Sequence, residues 1–403
     1  MTPNFDHVVI LADESANWKI GGLRQLDRLL FALDELATSI SSQRKIDIFI
    51  FWRPGISAEQ RWQQPDPRIT RCNFADALVV GGRERVFNTR LLVKRRGLEQ
   101  FIYDSVPLEN DSTMGDEHAV WENLCQRFEN ACAEVNPKEH ETWRYLASDR
   151  DLGRAERWLL RDCGKSQDGF VSHFLNRSIS RSITRALLRF PITPNALTIS
   201  IFPLLIVAFC FFLRGNYWGF VTGCAIFQVY SILDGCYGEI ARAKALVSEA
   251  GGRLDTLCDT AGNLLLVVGV GLGLRAQHPS SGWIYGMEGI FCALLIGANE
   301  LWLHQVITDE ESSPSKISAT LYPRHRMLAQ RSGLLFLGEK NVWWLVQFTK
   351  RDVAILFFLV LAIAGFSQWI LHLSLLVAAI ILSLSIIAML SSRRRAAVRG
   401  SRA

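Results

Sequence analysis

Cysteine pairs at metal-binding or redox spacing are missing from this chain. Its nine cysteines are scattered, no two of them form a CxxC pair, and several lie in apolar segments. This pattern indicates buried small side chains in a reducing compartment rather than a zinc site or a disulfide framework. The start of the chain also lacks a basic leader followed by an apolar stretch and a small-residue cleavage site, so we expect no secretory signal peptide.

Nucleic-acid recognition motifs are absent as well. The formal net charge of +5 is modest for 403 residues. This balance suits an anionic membrane surface and phosphate-bearing ligands better than it suits DNA or RNA. We therefore expect no nucleic-acid partner.

Apolar residues make up 49% of the chain and are concentrated in its second half. The sequence is charged and mixed up to about residue 190, and long apolar runs alternate with short connectors after it. This change predicts an α/β domain over residues 1–140, a linker with a juxtamembrane helix over 141–191, and an all-α membrane domain over 192–403. The predicted spans approach the ~20 residues that a bilayer requires and are 196–213, 217–241, 254–274, 283–307, 352–366 and 369–390.

Basic residues are enriched in every second connector of the membrane half and at both of its flanks. By the positive-inside rule these segments lie in the cytoplasm. The sequence thus predicts a six-helix, multi-pass protein of a bacterial-type inner or plasma membrane, with both termini on the cytoplasmic side.

The first 140 residues alternate between strand and helix patterns. A buried strand in HVVILADES is followed by an amphipathic helix in LRQLDRLLFALDELATSI and by a second strand in KIDIFIFW, and DALVVGG indicates a further strand. This order predicts a parallel βαβ unit.

An unusually charged stretch, ILDGCYGEIARAKALVSEAGGRLDTLCDT, separates the second and third spans. At helical pitch, one side of the second span carries Asp234, Gly238, Ala241 and Arg242. A turn is predicted at Gly251-Gly252, after which Asp255 and Asp259 share one helix face. Three carboxylates meeting without a histidine or cysteine favour a hard cation, Mg²⁺ or Mn²⁺.

The spacing D-x-x-D-G-x-x-A-R-x8-G-x3-D-x3-D resembles the signature of the CDP-alcohol phosphatidyltransferase family. The matching residues are Asp234, Gly238, Ala241, Arg242, Gly251, Asp255 and Asp259. The resemblance implies six membrane helices, a two-metal site facing the cytoplasm, and transfer of a substituted phosphate from a CDP-linked donor to an alcohol with release of CMP. It implies metal ligation by Asp234, Asp255 and Asp259, and general-base catalysis by Asp259. The remaining motif residues, Gly238, Ala241, Arg242 and Gly251, would contact substrate.

Tyr237 stands where this family carries its second aspartate. A phenol with an ordinary pKa near 10 is a poor ligand for Mg²⁺ at neutral pH. Glu239 points about 200° away around the helix and cannot simply replace the missing carboxylate. Two readings stay open: one metal is held loosely with extra water, or the chain keeps the fold without the reaction.

The segment before the first span carries Arg177, Arg181 and Arg185 at intervals of four residues. These arginines predict a basic stripe on an interfacial helix. The surrounding segment resembles the juxtamembrane helix of family members that use CDP-inositol. Two readings stay open here too: the stripe binds a donor or acceptor phosphate, or it is attracted to anionic lipid headgroups.

The α/β domain resembles the sugar-phosphate nucleotidyltransferase fold that precedes the membrane domain in bifunctional enzymes making CDP-inositol. That fold holds nucleotide phosphates on a glycine-rich loop after its first strand, but this chain places Asp13 and Glu14 there. We expect this domain to be catalytically inert and to serve in docking or regulation.

Three functions are compatible with these patterns. The first is a membrane transferase that binds a CDP-linked donor, an alcohol or polyol-phosphate acceptor and membrane lipid. The second is a degenerate scaffold that binds lipid or a partner without turnover, and the third is a transporter. A homodimer is left open.

Overall fold

The computed structural model describes residues 7–40, 45–57, 59–61, 66–75, 84–94, 97–104, 116–134, 142–162, 169–308 and 350–400. The chain divides into two compact units. The first comprises Met1–Cys163 with the short segments Leu188–Pro191 and Arg242–Ala245. The second comprises Gly164–Leu187, Ile192–Ala241 and Leu246–Ala403.

The first unit is an α/β domain. Its strands are β1 (His7–Ala12), β2 (Lys19–Ile20), β3 (Leu23–Arg24), β4 (Ile46–Trp52), β5 (Cys72–Phe74), β6 (Glu84–Asn88), β7 (Leu91–Val93) and β8 (Trp143–Tyr145). Its helices are α1 (Gln25–Ile40), α2 (Gly97–Asp104), α3 (Glu117–Glu134) and α4 (Leu152–Asp162). The main sheet has the order β5-β4-β1-β6, and all of its pairings are parallel.

The predicted βαβ unit is confirmed. Strands β1 and β4 run parallel, with Val8 opposite Ile48, and α1 connects them. The helix begins two residues later than the sequence pattern indicated, because Leu23 and Arg24 belong to the short strand β3. The strand predicted in DALVVGG lies outside the described residues, whereas Glu84–Asn88 forms β6, which the sequence analysis did not assign.

The core of this domain comes from the apolar face of α1. Its leucines at helical spacing are nearly inaccessible to solvent and pack against the sheet; they are Leu26, Leu29, Leu30, Leu33 and Leu36. Burying each such side chain contributes about 1.5–3 kcal/mol. The amphipathic pattern therefore determines which side of the helix covers the sheet.

The second unit is helical. It contains α5 (Arg177–Leu187), α6 (Pro194–Ile201), α7 (Pro203–Phe212), α8 (Tyr217–Ala243) except for its last two residues, α9 (Glu249–Gln277), α10 (Gly282–Thr308), α11 (Arg351–Ile363) and α12 (Ser367–Gly400). A π-helical turn, Ser172–Asn176, leads into α5.

Three helical stretches of the described chain are long and apolar enough to cross a membrane. They are Pro194–Phe212, Tyr217–Ala243 and Glu249–Gln277, and a shorter apolar helix covers Ser367–Ser383. The six predicted spans overlap helices, but the first is divided between α6 and α7, and the fifth extends three residues beyond the end of α11 at Ile363. The number of six membrane-crossing helices nevertheless stays a prediction.

The turn between α8 and α9 lies earlier than predicted. We expected it at Gly251-Gly252, but both glycines lie in the first turn of α9, which begins at Glu249. Ser248 adopts an extended backbone, and its hydroxyl accepts a hydrogen bond from the Gly251 N–H at 3.1 Å. Such a cap satisfies an otherwise unpaired helix donor and determines where the helix starts.

Glycines allow α9 to pack closely against α10. A Cβ atom on Gly271 would lie 2.8 Å from the Tyr285 carbonyl oxygen and 3.0 Å from the Gly289 Cα. Only the absence of a side chain permits this backbone approach. The close packing at Gly271 thus fixes the helix that carries Asp255 and Asp259 against α10.

Candidate metal and substrate site

Three carboxylates from two helices converge in the second unit. Asp234 projects from α8, and Asp255 and Asp259 project from successive turns of α9. One oxygen from each lies within 4.8 Å of the others, and all three residues are half-buried. Carboxylates this close repel one another unless a cation lies between them. The oxygen-only donor set fits one hard divalent ion such as Mg²⁺ or Mn²⁺.

An arginine from a distant part of the chain joins this cluster. Arg351, the first residue of α11, forms an ion pair through Nη1 with Asp259 Oδ1, and its Nη2 lies 3.9 Å from Asp234 Oδ2. The guanidinium also covers the ring of Tyr230, with its Cζ 5.3 Å from the ring centroid. The hydroxyl of Tyr230 donates to Asp259 Oδ1 at 3.3 Å. Two positively polarised groups therefore converge on Asp259.

Tyr237 lies against the start of α9. A Cβ atom on Gly251 would lie 2.7 Å from the Tyr237 hydroxyl, 2.8 Å from Asn195 Oδ1 and 3.0 Å from Ser248 Oγ. Any side chain at Gly251 would therefore collide with polar atoms of three residues. The glycine is required here for space, in the turn of α9 that precedes Asp255.

The juxtamembrane helix α5 is joined to α8 by a buried charge. Glu239 is fully buried and accepts hydrogen bonds from Arg177 Nη1 at 3.0 Å, Ser180 Oγ at 2.8 Å and Thr184 Oγ1 at 2.7 Å. Arg177 also donates to the Gly235 carbonyl oxygen at 3.1 Å. The contacts of Arg177 with Glu239 and Gly235 thus fix α5 against α8, the helix that carries Asp234. Glu239 is engaged with α5, in agreement with the prediction that it cannot replace the missing aspartate.

The other predicted arginines of α5 lie one and two turns beyond Arg177. Arg181 and Arg185 are half-buried, whereas Arg177 is buried. The three positions therefore do not form one exposed stripe, because the first is occupied by an intramolecular ion pair. The phosphate-binding role of Arg181 and Arg185 stays a prediction.

The remaining predicted residues occupy the last two turns of α8. Gly238 is half-buried, Ala241 is buried, and Arg242 is the second-last residue of the helix. In the fourth predicted span, Asn299 is buried, as expected for a polar residue that faces the helix bundle.

Two residues of this site were missed by sequence reasoning. Tyr230 lies one helical turn before Asp234, so helical periodicity could have placed it on the same face. Arg351 lies in a connector rich in basic residues, directly before the predicted span 352–366. Its position immediately before an apolar span was visible, but its partners on α8 and α9 were not.

Comparison with known families agrees with this geometry. Residues 191–391 match the family model described as CDP-alcohol phosphatidyltransferase. This part of the chain is a CDP-alcohol phosphatidyltransferase domain. The match includes α8, α9 and α11, which supply the three aspartates and Arg351.

Several curated relatives of the domain carry the name "Bifunctional IPC transferase and DIPP synthase". The protein of Archaeoglobus fulgidus is 26% identical over 294 residues, which cover 72% of this chain and 52% of that protein. The protein of Thermococcus kodakarensis is 33% identical over 138 residues, 34% of this chain and 31% of the relative. The protein of Rubrobacter xylanophilus is 32% identical over 184 residues, 45% of this chain and 41% of the relative. The matches thus span about half of the length of these relatives or less.

Proposed function

We propose that this chain is an integral-membrane transferase that moves a substituted phosphate from a CDP-linked donor to an alcohol and releases CMP. The convergence of Asp234, Asp255 and Asp259 carries this proposal. A bound Mg²⁺ or Mn²⁺ would neutralise the diphosphate of the donor and stabilise the charge that develops on the leaving CMP. The names of the relatives support a polyol phosphate as the acceptor and CDP-inositol as a donor to test first.

Asp259 is the proposed general base. Its carboxylate would accept the proton of the acceptor hydroxyl as that oxygen attacks phosphorus. The Tyr230 hydroxyl donates to the same carboxylate and holds it in place from the buried side of α8. Asp234 and Asp255 would hold the ion with it, while Gly251 leaves room for the close approach of Tyr237 and Asn195.

We propose that the site faces the cytoplasm. The distribution of basic residues supports this orientation. Exposed tryptophans mark the opposite interface, because Trp218, Trp283 and Trp369 lie at the first turns of α8, α10 and α12 and are 73%, 65% and 50% exposed. Tryptophans at this depth are typical of a membrane–water interface. These helix starts belong to the connectors poor in basic residues. Asp234 lies towards the end of α8, and Asp255 and Asp259 lie near the start of α9, so the aspartates lie away from these tryptophans along the helices.

The α/β domain is proposed to be catalytically inert. Asp13, which follows β1, is buried and forms an ion pair with Arg90 at 2.8 Å. Its other oxygen accepts the Ser15 N–H at 2.8 Å. A nucleotide phosphate at the end of this strand would meet a carboxylate instead of free backbone donors. This arrangement favours a docking or regulatory role.

The degenerate scaffold is the second candidate function. Tyr237 in place of the family's second aspartate favours it, since the site has three carboxylates among the described residues and not four. A scaffold would keep the helix bundle and bind lipid or a partner without releasing CMP.

Turnover with a panel of donors distinguishes the two candidates. The purified chain in lipid nanodiscs is supplied with CDP-inositol or CDP-diacylglycerol and an acceptor, either inositol phosphate or glycerol phosphate. We expect CMP release from at least one pair, and we expect chelation of divalent ions to stop it. The absence of CMP release from every pair would favour the scaffold.

A further inference from the structure

Arg351 lies where a second positive charge is needed in the carboxylate cluster. We propose that this guanidinium takes the place of one of the two metal ions of the family, so that the site works with a single divalent ion. The proposal rests on the proposed function, because it concerns the same carboxylates. It is carried by the ion pairs of Arg351 with Asp259 and Asp234.

The balance of charges in the site supports the replacement of one metal ion by Arg351. In the family pattern, four carboxylates balance two divalent ions. Tyr237 removes one carboxylate from this chain, so two divalent ions would leave an excess positive charge. One divalent ion and one guanidinium balance the remaining three carboxylates. The loss of the aspartate and the presence of Arg351 are therefore complementary in charge.

The surroundings of Arg351 hold it in the site. Its guanidinium covers the ring of Tyr230, which is fully buried. The next residue, Asp352, accepts a hydrogen bond from the Ser172 N–H at 2.6 Å. A Cβ atom on Gly169 would collide with the carboxylate of Asp352, so this approach requires a glycine. The first turn of α11 is thereby tied to the segment before α5.

The guanidinium retains capacity for a ligand. Its Nη2 is buried and has no hydrogen-bond partner among the residues that the structure describes. Arginine keeps its charge at every physiological pH and presents several donors in one plane. A phosphate oxygen of the donor could therefore accept from Nη2 while Nη1 stays with Asp259.

The number of bound Mn²⁺ ions tests the proposal. Binding is measured by the loss of the free-ion signal in electron paramagnetic resonance, with the full chain in nanodiscs and no nucleotide present. We expect one site in the wild-type chain and in Arg351→Lys, which keeps the charge. Arg351→Met should keep one site and tighten it by at least about tenfold, because a positive charge a few ångströms from the ion is removed. The double variant Tyr237→Asp/Arg351→Met, with four carboxylates, should bind two ions.

A matched control separates this effect from a general change of charge. Arg214 is an exposed arginine that covers the Phe211 ring in the connector before α8, so Arg214→Met should leave Mn²⁺ binding unchanged. Three results would overturn the proposal. The wild-type chain could bind two ions, it could bind none, or the double variant could bind a single ion. One ion in the wild-type chain and two in the double variant, without CMP release, would support it and reject the transferase instead. CMP release by a wild-type chain that binds two ions would reject the one-ion proposal and support the transferase.

Discussion

Arg177 and Glu239 form an ion pair of 3.0 Å that is buried between α5 and α8. Removing one partner of such a pair leaves an uncompensated charge, which typically costs about 3–5 kcal/mol. We therefore expect Arg177→Met to lower the thermal unfolding temperature of the chain in detergent markedly. Glu239→Gln should also lower it, because the buried guanidinium of Arg177 loses its counter-charge while the single amide oxygen can still accept from Ser180.

Glu249→Gln is the control for this prediction. Its carboxylate lies 3.7 Å from Arg253, and its side chain is 92% exposed. Exposed pairs contribute about 0–1 kcal/mol, so the unfolding temperature should hardly change. Equal shifts for Arg177→Met and Glu249→Gln would show that the buried pair does not stabilise the junction of α5 and α8.

Gly251 and its neighbour Gly252 provide a second matched pair. A methyl group on Gly251 would collide with Tyr237, Asn195 and Ser248, whereas nothing lies within 4 Å of a Cβ atom on Gly252. Gly251→Ala should destabilise the fold and reduce CMP release by shifting the start of α9. Gly252→Ala should stabilise the helix by up to about 1 kcal/mol. Thermal unfolding and CMP release measure both effects, and identical behaviour of the two variants would refute the steric role of Gly251.

Inertness of the α/β domain is a third prediction. The full chain, given CTP, Mg²⁺ and a polyol phosphate, should form neither pyrophosphate nor a CDP-alcohol. The measurement is made in the Asp255→Asn background, so that the transferase site cannot consume a product. Formation of pyrophosphate there would make the chain bifunctional and would contradict the role assigned to the Asp13–Arg90 pair.

The orientation in the membrane is a fourth prediction. A cysteine at Ser281, in the exposed connector between α9 and α10, should react with an impermeant maleimide added outside intact cells. A cysteine at Val247, which is 58% exposed in the connector before α9, should react only after permeabilisation. Val247 is chosen because the neighbouring Ser248 caps α9. Labelling of position 247 from outside would reverse the orientation and place the aspartates on the wrong side.

Two native cysteines should contribute little background to that experiment. Burial raises the pKa of the Cys72 and Cys132 thiols to about 12. Only the thiolate reacts readily, so both groups stay protonated and slow at pH 7.5 while the domain is folded. Unfolding returns each pKa to about 8.5, and labelling in denaturant should therefore become fast.

Much of this architecture could be predicted from local patterns. The strand β1, the leucine face of α1 and the positions of Asp255 and Asp259 one turn apart all follow from helix and strand periodicity. The turn before α9 was misplaced because two adjacent glycines suggested a break, whereas the Ser248 cap determines where the helix begins.

Contacts between distant segments could not be predicted in this way. Glu239 looked like one more charge in a charged stretch, and Arg351 looked like part of a basic connector. Their partners come from α5 and from the aspartates, and only the packing of the helices brings these groups together. Buried ion pairs between elements leave no periodic signal in the sequence.

Metal-dependent CMP release by Asp255→Asn is the most direct test of the central claim. Asp255 is one of the three converging carboxylates, and its amide variant changes the side chain little in size while removing the charge. The substitution should lower Mn²⁺ affinity and CMP release by at least about 100-fold, whereas Glu249→Gln should retain both. CMP release by Asp255→Asn at the wild-type rate, with unchanged Mn²⁺ binding, would contradict a metal site at these aspartates.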